Sequence, residues 1–375
     1  MATILHLTTV HPRFELRSHI KEAQTLASSL PHKVLVMVAD GKGNVNEGQG
    51  LVSVHDIGAL CVGRLGRMLR GSWRAFFAIR RIKPAIVHFH DPELIMLGVL
   101  LNVVGYKVIY DVHEDVPRQT LSKDYLPSAI RKPLSWVISA VEWIGAMAFN
   151  AIVPATPKIA ERFPARKTVT IQNFPIESEL LRPASIPCAE RQPSFVYAGG
   201  IAKTRGAVEM VRALELLSDI PGARLDLAGT FSPHTLADML QALPGWRSVH
   251  FHGQVSRAQV AQIMGGVRAG LVLFHPLPNH MEAQPIKMFE YMSAGLPVIA
   301  SDFPLWRRII GGAACGLLVD PLNSKAIADA MRWILKHPAE AEAMGRRGRQ
   351  AVGLTYNWDA EAPKIINLYK KLLAI

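Results

Sequence analysis

Short apolar runs alternate with stretches of helical spacing along almost the whole chain. The runs Thr3 to Thr9, Lys33 to Ala39, Ala85 to His90, Lys107 to Asp111, Ala151 to Ala155 and Thr168 to Gln172 are mostly β-branched and do not alternate with polar residues. Strands buried on both faces of a parallel sheet read this way, so residues 1–172 predict one Rossmann-like domain of βαβ units. Residues 173–192 lose the rhythm, carry Pro175, Pro183, Pro187 and Cys188, and predict a linker. Strand and helix then resume over 193–355, with runs at Ser194 to Ala198, Arg224 to Ala228, Val249 to His252, Gly270 to Phe274, Pro297 to Ala300 and Gly316 to Val319. A second α/β domain follows from this pattern. In the last segment, 356–375, Ile365, Ile366, Leu368, Tyr369, Leu372 and Leu373 stand at helical spacing. Spacing alone leaves open whether that helix caps its own domain or crosses back to the first.

At 375 residues the chain is long enough for two sizeable cores. Hydrophobic residues make up 49% and charged residues 19%, which excludes long disorder. The net charge is +12. Residues 1–172 hold 21 basic and 13 acidic residues, so +8 of it lies there. Such an excess favours anionic partners: nucleic acid, an acidic membrane surface or phosphorylated substrates.

Cys61, Cys188 and Cys315 are far apart and show neither a disulfide framework nor zinc spacing. They are expected as buried thiols in a reducing cytoplasm. The start of the chain has no basic segment before its first apolar run, so no secretory leader is expected. The longest apolar stretch, Leu134 to Val153, contains Glu142 at its middle. A charge at mid-membrane costs about 3 kcal/mol, so a buried core helix leading into a strand is expected instead of a membrane span.

The first candidate site opens the second domain. The run Phe195-Val196-Tyr197 leads into Ala198-Gly199-Gly200, then Lys203, Arg205, Gly206 and a helical stretch from Ala207. Two glycines let backbone N–H groups approach an anion, the helix start adds partial positive charge, and Lys203 and Arg205 add full ones. A diphosphate cradle is one reading; an ordinary βα turn with two solvated cations is the other. The second candidate is Glu282-Ala283-Gln284-Pro285-Ile286-Lys287-Met288-Phe289-Glu290, closed by Gly295. Pro285 suits the start of a helix and Gly295 its end. Free N–H groups near Ile286 and Lys287 could take a second phosphate edge, and Glu290 could accept from ribose hydroxyls. The alternative for Glu290 is an i,i+3 pair with Lys287.

These segments resemble the donor-site signature of retaining glycosyltransferases of family 4, and Asp111-Val112-His113-Glu114-Asp115 is similar to segments in a bacterial surface-polysaccharide branch of that family. The resemblance lies in Glu282 and Glu290 with seven residues between them, the tail from Phe289 to Ser301, Gly199 to Gly206, His252-Gly253 and Tyr356-Asn357-Trp358. It implies the GT-B fold: two Rossmann-like domains with parallel sheets facing a central cleft, and a terminal crossover helix returning to the front domain. It further implies that Arg205 and Lys203 hold the diphosphate, Glu290 the ribose and Glu282 the donor sugar. Gly253, Gln254 and Val255 would face the base, with Gln284, Pro285, Ile286 and Lys287 beside the phosphates. Many family members carry an arginine where this chain has Gly200, so one phosphate contact is either missing or supplied by Lys203.

In the front domain, Tyr110-Asp111-Val112-His113-Glu114-Asp115 follows a strand, where α/β folds put ligands. By the resemblance His113 would hydrogen-bond the donor sugar. His88 and His90 end another strand and share a face; acceptor-side shaping and a structural histidine both remain open for them. The loop Thr8 to His19, with His11, Arg13, Glu15 and Arg17, is assigned to the acceptor.

Seven basic residues and no acidic one lie between Arg64 and Lys83. On a helix Arg67, Arg70, Arg74 and Arg81 form one stripe, with Leu65, Leu69, Phe76 and Ile79 opposite. The apolar side is expected to pack on the sheet and the arginines to meet either solvent or anionic lipid. Nucleic acid is disfavoured because no binding module accompanies the charge.

Taken together, the expectation is a cytoplasmic, metal-independent retaining transferase with peripheral contact on the inner face of the membrane. It would move a sugar from a UDP- or GDP-sugar to a glycan or lipid-linked acceptor, with no cofactor beyond that co-substrate. A non-hydrolysing UDP-sugar epimerase and a non-catalytic binding partner in polysaccharide assembly are the alternatives.

Overall fold

The computed structural model describes residues 1–46, 52–60, 63–123, 126–176 and 186–374, with the side chains of 64 and 65 left out. It divides into two compact units, Met1–Asn173 with Trp358–Ile375, and Phe174–Asn357. The last helix, Trp358–Leu373, is thus part of the first unit. Cys61 and the Arg182-Pro183 part of the linker lie outside the described residues.

The first unit is built on a seven-stranded sheet in the order β3-β4-β2-β1-β5-β6-β7. Its strands are β1 (Thr3–Leu7), β2 (Lys33–Val38), β3 (Val45–Asn46), β4 (Val52–Asp56), β5 (Ile86–Phe89), β6 (Lys107–Val112) and β7 (Ala151–Pro154). All described pairings are parallel except the short β3 against β4. Two departures from the sequence reading occur at the edges. β3 and β4 were not anticipated, because Val52-Ser53-Val54-His55-Asp56 alternates apolar with polar, as a strand near a sheet edge does. Thr168 to Gln172 is not a strand; it makes one isolated bridge, Thr168 to Ile152.

Strand alternation divides the first sheet into two unlike faces. Leu5, Leu7, Val87, Phe89, Val108 and Tyr110 join an apolar cluster with Ala75, Ile79, Ile95, Leu101 and Phe149 from the helices above them. His6, His88, His90 and Asp111 stand between those positions, are all buried, and face the other way. On that side lie the helical stretch Leu16–Ser29 and the final helix, whose Trp358 Nε1 donates to Thr25 Oγ1 at 2.9 Å.

The second unit has a six-stranded parallel sheet, β10-β9-β8-β11-β12-β13. These are β8 (Ser194–Ala198), β9 (Arg224–Ala228), β10 (Val249–Gly253), β11 (Ala269–Val272), β12 (Val298–Ser301) and β13 (Gly316–Val319). One cluster, with Ala207, Met210, Leu214, Ile327 and Met331, covers one face. Another, with Met288, Phe289, Met292, Trp306 and Val352, covers the other. From β8 the chain steps to β9, and from β11 it steps the opposite way to β12. Neighbouring β8 and β11 therefore form a switch point, where open α/β sheets place ligands beyond the carboxyl ends of the strands.

Candidate functional site

The turn after β8 sits at that switch point. Gly199 has φ +126, a conformation open to glycine, and its carbonyl oxygen would lie 1.9 Å from a Cβ at Gly229. A Cβ at Gly200 would lie 2.8 Å from Arg205 Nη1, so a side chain there would displace the end of that arginine. The guanidinium occupies that space, donating to Gly200 O at 3.3 Å and lying 5.6 Å from the Phe274 ring centre. Tyr197, whose phenol burial pushes up to about 12, stays protonated and donates to the same carbonyl at 2.7 Å. Gly206, at φ +77, carries the chain into the Ala207–Glu215 helix; a Cβ there would meet Leu273 O at 2.2 Å.

The second candidate segment comes to the same turn. Pro285 precedes the helix Ile286–Ser293, whose first turn has no side-chain cap. Lys287 leaves it buried, with Nζ 3.6 Å from the Tyr197 ring centre and 3.0 Å from where a Gly199 Cβ would be. Nζ has no hydrogen-bond partner among the described residues, and neither does the buried Gln284 Oε1. Burial, then repulsion from Arg205, lowers the Lys287 ammonium well below the usual lysine range, with Glu290 opposing. An amine held this way is relieved by an incoming anion.

Glu290 is also buried, and its Oε1 accepts from Arg257 Nη1 at 3.1 Å. The i,i+3 pair with Lys287 weighed above is not made. Glu282 ends the turn Pro278–Met281 and is half-buried, and the loop after it is pinned by Trp306 Nε1 donating to Ala283 O at 2.8 Å. Gly253, at φ +66, lies at a register shift in β10 and accepts from Gly229 N at 2.7 Å; Val255 follows, half-buried. Lys203 lies exposed on the turn Lys203–Arg205. The structure thus gathers Gly199, Gly200, Arg205 and Lys287 at one point. The Lys287 side chain was missed, although the reasoning applied to Glu290 was available: a charge inside Ile286-Met288-Phe289 is as costly as one inside Phe289-Tyr291-Met292.

In the first unit the carboxyl ends of β1, β5 and β6 hold a buried polar chain. Arg17 donates to Asp111 through Nε at 2.9 Å and Nη2 at 2.8 Å, and to Ile171 O at 2.8 Å. Burial alone would raise the Asp111 carboxyl, but Arg17 and His113 hold it well below the usual range. His113 Nε2 lies 3.0 Å from Asp111 Oδ2; burial lowers the imidazole, and Asp111 outweighs it and leaves it raised. His90 Nδ1 lies 2.9 Å from the same oxygen.

An ionised Asp111 accepts from His90 Nδ1, and that assigns the remaining protons. His90 Nε2 accepts from His6 Nδ1 at 3.0 Å, His6 Nε2 from the Tyr369 hydroxyl at 3.3 Å, and Tyr369 from His88 Nδ1 at 2.9 Å. Burial first, then neighbouring imidazoles, lowers His6 and His88; burial lowers His90. Glu22 pairs with Arg17 at 3.3 Å, and burial, then Asp111, raises its carboxyl.

The buried Asp91 accepts from Thr8 Oγ1 at 3.0 Å and Thr9 Oγ1 at 3.2 Å, and His11 stacks on His113 at 5.0 Å. Arg13 is tied to Asp40 and Glu15 caps Ser18 N, so much of the loop assigned to the acceptor is spent on structure. Sequence spacing brought out His88, His90 and His113; it did not show that Arg17, Glu22 and Tyr369 join them. Three groups offer ligand atoms within 4.8 Å of one another: His6, Glu22, His88 and His90; His90, Asp111 and His113; Asp226, His250 and His252. The first two lie within the hydrogen-bonded chain just described.

The basic helix also differs from expectation. In Arg64–Ile82, Ala75 and Ile79 are buried but Leu69 is 70% exposed. Arg67 pairs with Glu93 at 3.0 Å, and Arg74 donates to the carbonyls of Ile57, Gly58 and Ala59. Arg70 and Arg81 of the stripe are exposed. No helix among the described residues is long and apolar enough to cross a membrane.

Residues 182–351 match the family model described as Glycosyl transferases group 1. The glycogen synthase of Mycobacterium tuberculosis is 24% identical over 303 residues, covering 77% of this chain and 69% of that protein. The phosphatidyl-myo-inositol mannosyltransferase of Mycobacterium leprae is 35% identical over 122 residues, 32% of this chain and 31% of that one. Sucrose-phosphate synthase from Thermosynechococcus elongatus superposes with a TM-score of 0.79 at 17% identity over 100% of both chains, a likeness of fold.

Proposed function

We propose that this chain, whose second unit matches the group 1 glycosyltransferases, is a retaining transferase of family 4 type acting in bacterial polysaccharide biosynthesis. It takes a sugar from a UDP- or GDP-sugar and adds it to a hydroxyl of a glycan or lipid-linked saccharide. The observation that carries the reading is the buried Lys287 Nζ, without a hydrogen-bond partner among the described residues, beside Arg205 and the Gly199-Gly200 turn. Two cations, a glycine turn and a helix start at a switch point suit a nucleotide diphosphate. They also supply what the missing arginine at Gly200 would: the space holds Arg205 and the second charge comes from Lys287.

As the glycosidic bond breaks, negative charge grows on the diphosphate, and Arg205, Lys287 and the uncapped start of Ile286–Ser293 stabilise it. The cations do this without a metal. Glu290 accepts from the ribose, Glu282 orients the sugar, and Gly253 to Val255 lie toward the base. The acceptor hydroxyl enters on the side the leaving group vacates, and a phosphate oxygen takes its proton. Membrane association, through Arg70 and Arg81 on anionic lipid, brings the enzyme to a lipid-linked acceptor; one relative is named for such a lipid.

The test is incubation with UDP- and GDP-sugars, with and without membranes, following free UDP or GDP. Release that requires an acceptor and is lost in Arg205→Ala supports the reading. An isomerised nucleotide sugar with no acceptor requirement makes it an epimerase, and binding without turnover a non-catalytic partner.

A further inference from the structure

Three helices of the first unit carry large apolar residues on the outside as well as toward the sheet. The steps β4 to β5, β5 to β6 and β6 to β7 all run the same way across the sheet. Right-handed crossovers therefore set Arg64–Ile82, Ile95–Val103 and Ser128–Ala148 on one face. Their inward contacts combine Ile79, Ile95, Leu97 and Leu101 with small and polar residues. Gly98 lies against Phe89 and Phe149, and Gly145 against Ile95. Ser135 and Glu142 are buried, Glu142 bonded to Arg162 and to Tyr110.

The outward positions are apolar too. In Ser128–Ala148, Trp136 is 77% and Trp143 56% exposed, with Val137, Ile144 and Met147 on the same helical stripe. The sequence reading of a buried core helix is corrected here: the residue it buries is the glutamate. Ile95–Val103 shows Met96, Leu100 and Val103, and Arg64–Ile82 shows Leu69, Trp73 and Phe77. Glu142 is the sole carboxylate in the three helices. Arg70, Arg80, Arg81 and Lys132 are exposed.

We infer that this face seats on an anionic lipid bilayer, with Trp73, Trp136 and Trp143 at headgroup depth and the basic residues on lipid phosphates. The inference deepens the membrane reading above and rests on it for the partner; what it adds is apolar insertion by helices that reading did not use. Large indole rings beside guanidinium groups suit the headgroup layer, where one end of a side chain is apolar and the other wet. An apolar face of this extent on a soluble unit marks an interaction surface. Charge selects the occupant. Two copies of a face bearing only positive charge repel, whereas anionic lipid complements it.

The test is flotation of the full chain with phosphatidylglycerol-containing vesicles and with phosphatidylcholine alone, at low and high salt. Quenching of tryptophan by bromine-labelled lipid chains is read alongside. The chain should float with the anionic vesicles and its fluorescence should be quenched. Arg70→Gln with Arg81→Gln should weaken partitioning about thirtyfold, about fivefold for each cation removed. Trp136→Ser with Trp143→Ser should keep low-salt binding but lose it at high salt, together with most of the quenching. Unchanged salt resistance and quenching in that double variant overturn the inference. So does a dimer, seen by light scattering, that the same substitutions dissociate.

Nucleotide-induced thermal stabilisation of each variant shows that it is folded. It also separates the two claims: vesicle binding without nucleotide binding sinks the proposed function alone, and the converse sinks this inference alone.

Discussion

The two units share a parallel sheet covered by helices, yet they meet their surroundings differently. Of the large apolar side chains exposed among the described residues, eighteen lie in the first unit and six, scattered, in the second. Their interiors differ as well. The first buries a hydrogen-bonded chain of histidines, Arg17, Asp111 and Tyr369; the second buries an amine, Lys287, with no hydrogen bond made. A chain of hydrogen-bonded side chains fixes shape, although His88 Nε2 and both Glu22 oxygens have no hydrogen-bond partner among the described residues, whereas a buried amine without a hydrogen bond keeps its affinity for something outside the chain. The fold is the same and the division of labour is in the side chains. Polar chemistry awaiting an anion sits in the second unit, and apolar surface awaiting lipid sits on the first.

The sharpest way to break this contrast is to remove the charge of the second unit. Arg205→Ala and Lys287→Met should each lower transfer by about 100-fold to 1,000-fold, the usual effect of deleting one group that stabilises developing charge. Rates within a few-fold of the parent would mean that the turn is merely structural. The next largest effect belongs to the interior of the first unit. Arg162→Ala leaves Glu142 buried without its cation, at a cost of about 3 kcal/mol, which is roughly 10 °C in the melting temperature of a unit of this size. A change of a degree or two would show that water reaches that carboxylate.

A smaller effect is expected from pH. His113 is raised, so its contribution to stability is complete below about pH 6.5 and declines as pH rises through its folded value. Asp111 is depressed, so its contribution is present above about pH 4 and declines only as pH falls. Thermal melts of the parent should therefore weaken above neutrality, and His113→Gln should flatten that decline; parallel profiles would contradict the pairing. Lys203→Ala, an exposed cation, should change donor affinity by only a few-fold, measured by nucleotide titration.

Most of the fold could be read in the sequence because parallel strands buried on both faces write themselves as unbroken apolar runs; Ile4-Leu5, Val34-Leu35-Val36 and Leu271-Val272 all lie in strands. Periodicity failed where exposure and polarity part company. Ser128–Ala148 has a helical stripe, but a stripe does not say which side faces inward, and here Glu142 does while Trp136 does not. Val52–Asp56 alternates too briefly to stand out from a loop. At the site, glycines and Arg205 were legible from local spacing. Lys287 was placed beside the phosphates through its backbone N–H, but the part its side chain plays was not legible, because it depends on a contact with Tyr197 and Gly199, about ninety residues earlier. Arg17 was read only as part of the acceptor loop and Tyr369 only as part of a helical stripe, and Glu22 was not singled out, since topology alone joins them to His6 and His88.

The claim on which this account rests is that Lys287 and Arg205 together receive a nucleotide diphosphate. Its most direct test is calorimetric titration of UDP and GDP, in two buffers of different ionisation enthalpy at mildly alkaline pH. Because burial and the neighbouring Arg205 lower the Lys287 ammonium well below its ordinary range, an arriving diphosphate should raise it again and draw a proton from the buffer. The parent should bind one of the nucleotides with net proton uptake, Lys287→Met should lose that uptake, and Arg205→Ala should bind far more weakly. Failure of both nucleotides to bind, or binding with the same affinity and proton count in all three proteins, would contradict the account.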